Sequence, residues 1–226
     1  VELENAVILF DYFKGTLPEF PAGKPLFIFA SHFHADHYAP VIFQLGEKRE
    51  NVFYILSKEI GKKIPEEYRK RYKDRIRLVK AGERFCLNIS EESLIVETFH
   101  STDEGVAFWL SCEGKEIYHA GDLNNWWWEG EDMAWNRNMA ASYKQEMKKL
   151  SGRTADLAFI PVDPRQEQWF YLGAAGFMEQ ADAKWIFPMH FWEDYTIIPK
   201  LIEHPSSEGW RDRIVEIHKE GEEFIR

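Results

Sequence analysis

The chain has 226 residues, of which 45% are hydrophobic and 15% aromatic, and its formal charge is −10. That much apolar material fills one core, so a single domain over 1–226 is expected. The acidic balance argues against a surface built for polynucleotide or anionic lipid, and no apolar run approaches the ~18 residues of a membrane-spanning helix.

In chain order, Val1–Leu3 and Ala6–Asp11 read as two strands around the turn residues Glu4–Asn5, and Leu26–Ala30 reads as a short buried strand. A chain that opens inside a hairpin suggests that an N-terminal piece precedes Val1. The opening residues VELENAVILF carry no basic, cleavable leader. An apolar helical stretch around Ala39–Leu45 and the strand Val52–Ser57 come next. Residues Lys58 to Lys80 hold ten Lys/Arg and four Asp/Glu, a charge of +6 against −16 for the rest of the chain. With a break at Pro65, this segment reads as a solvated helical face in preference to a phosphate-binding patch. Arg75–Val79, Arg84–Ile89, Leu94–Phe99, Val106–Cys112 and Glu116–His119 follow as strands, with EGK at 113–115 as a hairpin turn. Helices are then expected over Asp132–Leu150, Gln166–Ala181 and Thr196–His204. They alternate with strands Asp156–Val162 and Lys184–Met189, before a closing strand, Arg213–Ile217. Two β-rich layers with interspersed helices imply an α/β (α+β) fold with a sheet-on-sheet core. Cys86 and Cys112 are too few for a disulfide framework and lack the spacing of a thiolate zinc site, which suits free thiols in a reducing cytoplasm.

The chemistry concentrates in SHFHADHYAP, residues 31–40, directly after the apolar run LFIFA. Neutral imidazole and carboxylate are ligands for zinc and similar ions, and a loop leaving a strand can turn several of them toward one point. His32 and His34, two apart, face the same way in extended backbone, while Asp36 and His37 approach from where the chain turns. Four ligand-type side chains in so short a segment exceed what one tetrahedral ion readily takes. Two ions, each completed from elsewhere, fit better.

HFHADH is an H-x-H-x-D-H match and resembles the signature of the metallo-β-lactamase superfamily of metallohydrolases. The later elements keep that family's order: His100 in ETFHSTDEG, Asp122 in IYHAGD and His190 in KWIFPMH each close a strand. Asp11, closing AVILFD, resembles the early aspartate that supports the site in that family. The resemblance implies a four-layered αββα sandwich with two divalent metal ions, zinc first, with manganese and iron accepted by the same ligands. By carry-over, His32, His34 and His100 hold the first ion, Asp36, His37 and His190 the second, and Asp122 bridges both. The reaction so implied is attack by a metal-bridging hydroxide, oriented by Asp36, on an electrophilic carbon or phosphorus. No serine or cysteine nucleophile is needed, so Ser31, Ser101, Cys86 and Cys112 are given no catalytic role. Tyr195, in HFWEDY, is a candidate to protonate the leaving group; a metal-bound water is the alternative. His119, His204 and His218 read as ordinary hydrogen-bonded residues.

Three classes of function remain. The first is a cytoplasmic hydrolase of a small-molecule ester, lactone or phosphodiester. The second, an RNase Z-like nucleic-acid phosphodiesterase, is disfavoured by the acidic balance and supported only by the basic segment. The third, a di-iron redox protein, expects Glu where His34 stands. Trp126, Trp127, Trp128 and Trp135 follow Asp122 closely enough to line a lid, to make a contact with a second copy of the chain, or simply to pack. Arg165 could pair an anionic group of the substrate, and Asp103 and Glu104 could support the histidine ligands.

Overall fold

All five residues of LFIFA are buried, as a strand covered on both faces requires. In the computed structural model, which describes residues 1–89 and 92–225, the chain is mixed α/β, with two sheets and interspersed helices. It divides into two compact units, residues 1–100 with 104–114, and residues 101–103 with 115–226.

In the first unit β1 (Val7–Phe10), β2 (Leu26–Ala30), β3 (Val52–Ser57) and β4 (Ile76–Val79) form a parallel sheet in that order. The two-residue period of β2 divides its side chains between two cores. Leu26, Ile28 and Ala30 join Ile42 and Phe43 of α1 (Ile42–Leu45) and Tyr72, just past α2 (Glu66–Arg71). Phe29 points the other way and meets Phe108 edge-on at 5.1 Å. Phe108 lies on β7 (Val106–Cys112), which pairs antiparallel with β6 (Glu92–His100), itself antiparallel to β5 (Arg84–Ile89).

In the second unit β8 (Lys115–His119), β9 (Thr154–Pro161) and β10 (Asp182–Met189) run parallel. Asp132 starts α3 (Met133–Lys148) by accepting hydrogen bonds from the backbone N–H groups of Ala134 and Trp135, a standard N-cap. Phe177 of α4 (Leu172–Gln180) stacks on Tyr118 of β8 at 4.9 Å, and the Tyr143 hydroxyl of α3 donates to the Gly173 carbonyl at 2.6 Å. The helix α5 (Ile197–Glu203) buries Ile197, Ile198 and Leu201.

Three expectations are corrected. Val1–Leu3 is not a strand: Glu2 makes a single antiparallel bridge to Val7, and the ladder of β1 is taken by β2. The helix expected over Gln166–Ala181 begins only at Leu172. Before it, Pro164–Trp169 forms a separate 3-10 segment that Glu167 interrupts at φ 53°, ψ −118°, which no helix accommodates. Arg213–Ile217 is reduced to one parallel bridge, Ile186 to Ile214, because only Ile214 and Val215 of that segment are buried.

The loop after β2 depends on a close approach. Gly105 sits at φ +73°, and a Cβ there would stand 2.0 Å from the Ser31 carbonyl oxygen and 2.6 Å from the His32 Cβ. Gly105→Ala is therefore expected to lower unfolding free energy by at least ~2 kcal/mol in chemical denaturation. An unchanged midpoint would show that the loop has room to spare.

Candidate metal centre

Within the first unit, the backbone leaves β1 at Asp11 with φ 45° and turns that carboxylate onto the loop after β2. Asp11 Oδ1 accepts from Ser31 N, and Oδ2 accepts from Ser31 Oγ and from His37 Nδ1, each at 2.7 Å. An ionised carboxylate can only accept, so His37 carries its proton on Nδ1 and keeps its lone pair on Nε2. The Ser31 hydroxyl, having donated to Asp11, accepts from His32 Nδ1 at 3.0 Å, which puts the His32 lone pair on Nε2 as well. That nitrogen lies 2.9 Å from His34 Nδ1, about the separation of two nitrogens ~2.05 Å from one ion at a right angle. His37 Nε2 lies 3.5 Å from Asp36 Oδ2. His32, His34, Asp36 and His37 are thus gathered in one loop, and Asp11 bonds His37 directly and His32 through the Ser31 hydroxyl. His100 ends β6 exposed, and it is not in the tight group of donor atoms that holds His32 and His34.

Within the second unit, Asp122 follows β8 and His190 follows β10. His190 Nε2 lies 3.5 Å from Asp122 Oδ1, and His190 Nδ1 lies 2.9 Å from Asp163 Oδ2. Asp163 is a site residue that the sequence reading missed. Its side chain is fully buried and also accepts from Arg165 N at 2.8 Å, from the Arg165 guanidinium, and from Trp192 Nε1 at 3.3 Å. Burial pushes its pKa up, but the hydrogen bonds from His190 and Arg165 outweigh burial and hold the carboxyl well below its usual range. The available signal was its position: like Asp11 and Asp122, it stands just beyond the end of a strand. Arg165 forks onto this carboxylate and lies 4.4 Å above the Trp192 ring.

Thr102 Oγ1 bonds the Asn124 backbone from both sides, at 2.6 and 3.0 Å. Beside it, the Asp103 and Asp122 donor atoms come within 4.8 Å of each other. Glu104 is exposed. The Tyr195 ring leans on Phe191 at 5.2 Å, and among the described residues its hydroxyl makes no hydrogen bond. His119 is buried and accepts from Gly121 N at 3.1 Å through Nδ1, as befits a structural histidine.

The tryptophan loop is pinned. The Trp126 indole donates to the Asp122 carbonyl at 2.9 Å, stacks on Trp128 and meets His190 edge-on at 5.4 Å. Trp127 packs on Trp169, and Asn136 bonds both backbone groups of Trp128. Trp135, in the first turn of α3, stays exposed. The fully buried Gln166 accepts from Asn124 Nδ2 and donates to the carbonyls of Asn125 and Trp127.

No family model and no curated protein matches the chain. Solved structures do. CmlA, a diiron β-hydroxylase from Streptomyces venezuelae, aligns at 12% identity and a TM-score of 0.53 over 88% of this chain and 44% of its own. Zn(2+)-bound PqqB from Methylobacterium extorquens aligns at 12% identity and 0.48, over 88% of this chain and 74% of its own. The metallo-β-lactamase fold protein YhfI from Bacillus subtilis aligns at 10% identity and 0.42, over 83% and 72%. Metallo-β-lactamase-fold proteins are structural neighbours of this chain. At these identities the likeness concerns the fold alone, and the chain spans less than half the length of CmlA.

Replacing Gln166 by Ala strands one buried amide donor and two carbonyls. It is expected to cost about 2–4 kcal/mol and to open residues 124–131 to limited proteolysis. Unchanged stability and cleavage would mean that the tryptophan loop holds itself.

Proposed function

We propose that the protein is a metal-dependent hydrolase of a small-molecule ester, lactone or phosphodiester. The observation that supports this is a device repeated once in each unit. A carboxylate largely shielded from solvent, Asp11 or Asp163, fixes Nδ1 of one histidine, and Nε2 of that histidine lies 3.5 Å from a second carboxylate, Asp36 or Asp122. That distance is long for a hydrogen bond, yet it is about the spacing of two ligands ~2.0–2.1 Å from one tetrahedral ion. The donor set therefore fits divalent metal.

In this reading His32, His34 and His100 serve one ion, Asp36, His37 and His190 a second, and Asp122 both. Bound divalent ions supply Lewis-acid polarisation and a water acidified toward neutral pH. Asp36 orients the attacking water, and Tyr195 gives a proton to the leaving group. Nitrogen and oxygen donors accept zinc, manganese or iron. CmlA is described as diiron and PqqB as zinc-bound, so both metals belong in the assay. Cys86 is exposed and Cys112 buried, and neither is in a disulfide, which favours a reducing cytoplasm. No described helix is long and apolar enough to cross a membrane.

A small substrate is favoured over nucleic acid because several charges of the basic segment are engaged locally. Arg69 donates to the Gly61 and Ile64 carbonyls, Lys70 and Arg71 pair with Glu66 and Glu47, and Arg77 stacks on Phe85 at 3.6 Å.

The test is a side-by-side assay of zinc-loaded and iron-loaded protein on a generic phosphodiester and a generic lactone, with Asp122→Ala as the blank. Turnover of one substrate, lost in the variant together with bound metal, is expected. Silence on both substrates from fully loaded protein would overturn the reading. Tyr195→Phe is expected to lower kcat roughly 100-fold with KM little changed; a wild-type kcat would remove Tyr195 from the reaction.

A further inference from the structure

The backbone after β10 is strained. His190, Trp192 and Glu193 have φ of 63°, 52° and 63°, a left-handed conformation that non-glycine residues adopt only when their surroundings impose it. Asp163 is part of those surroundings. One carboxylate oxygen, Oδ2, accepts from His190 Nδ1 and from Trp192 Nε1, two side chains that leave the strained segment two residues apart. The Arg165 guanidinium and backbone N–H close the remaining sides. The His190 ring is further held edge-on by Trp126 at 5.4 Å and Trp192 at 5.1 Å. Asp163 is itself completely buried, so its charge is tolerated there only because these donors surround it.

We infer that Asp163 is the positioning residue of His190: it holds the proton on Nδ1 and presents the Nε2 lone pair toward Asp122 for metal. The inference rests on the reading of His190 as a metal ligand. Asparagine cannot replace Asp163 in this role. Its amide has one accepting oxygen and one N–H₂ group, and Asp163 meets donors on both oxygens, so either orientation sets N–H against N–H.

The experiment has two readouts. In metal-free wild-type protein at neutral pH, long-range ¹⁵N–¹H correlation spectra, with His190 assigned by its loss in His190→Asn, should report a single Nδ1–H tautomer. An Nε2–H tautomer or a mixture overturns the inference, and this readout needs no folded variant of Asp163. Zinc titration against a competing chelator should then find one site weakened roughly 10–100-fold in Asp163→Asn that still unfolds cooperatively. Zinc lost in His190→Asn but bound with wild-type affinity in Asp163→Asn overturns the inference alone. Undiminished zinc in His190→Asn overturns the ligand reading and the inference with it.

Discussion

A carboxylate shielded from solvent that can only accept hydrogen bonds dictates where its neighbours keep their protons, and this constraint recurs in both units. Asp11 fixes His37 directly and His32 through the Ser31 hydroxyl. Asp163 does the same for His190. In water these groups would sample both tautomers; burial makes the choice binding, because an unmatched donor or acceptor there costs several kcal/mol. His37 and His190 consequently turn a lone pair toward a second carboxylate, and His32 turns one toward His34, which is the arrangement a divalent ion needs and a simple ion pair does not.

The scaffold supplies these carboxylates from equivalent places. Asp11, Asp122 and Asp163 all stand just beyond strand ends, where parallel neighbours fix the backbone and the next residues are free to turn. The cost is local strain, with positive φ at Asp11 and at His190. The aromatic loop is part of the same support: Trp126 bonds the Asp122 carbonyl and touches His190, so this tryptophan packs against both residues.

The strands were legible wherever both faces are buried. Leu26–Ala30 and Val52–Ser57 occur within the bounds that their apolar runs suggest, and Val106–Cys112 does too. Reading failed where backbone conformation overrides composition. Nothing in PRQEQWFYLG announces that Glu167 breaks the helical path. A closing strand at 213–217 fails because too few of its residues find burial to sustain more than one bridge. At the site, HFHADH was legible since its density of donors has no ordinary structural explanation. Asp163 was not, because an aspartate before proline reads equally well as a turn. Arg165 was visible, but its partner was not: the guanidinium goes to the protein's own carboxylate.

The central claim is that the Nε2 atoms of His37 and His190 are metal donors because Asp11 and Asp163 hold the opposite nitrogens. Anomalous diffraction from crystals soaked in zinc tests it most directly. The account predicts ions about 2.0–2.1 Å from both Nε2 atoms, with both Nδ1 atoms still bonded to their carboxylates. Crystals with no ion at either nitrogen, or with ions on Nδ1 and the carboxylates displaced, would contradict it.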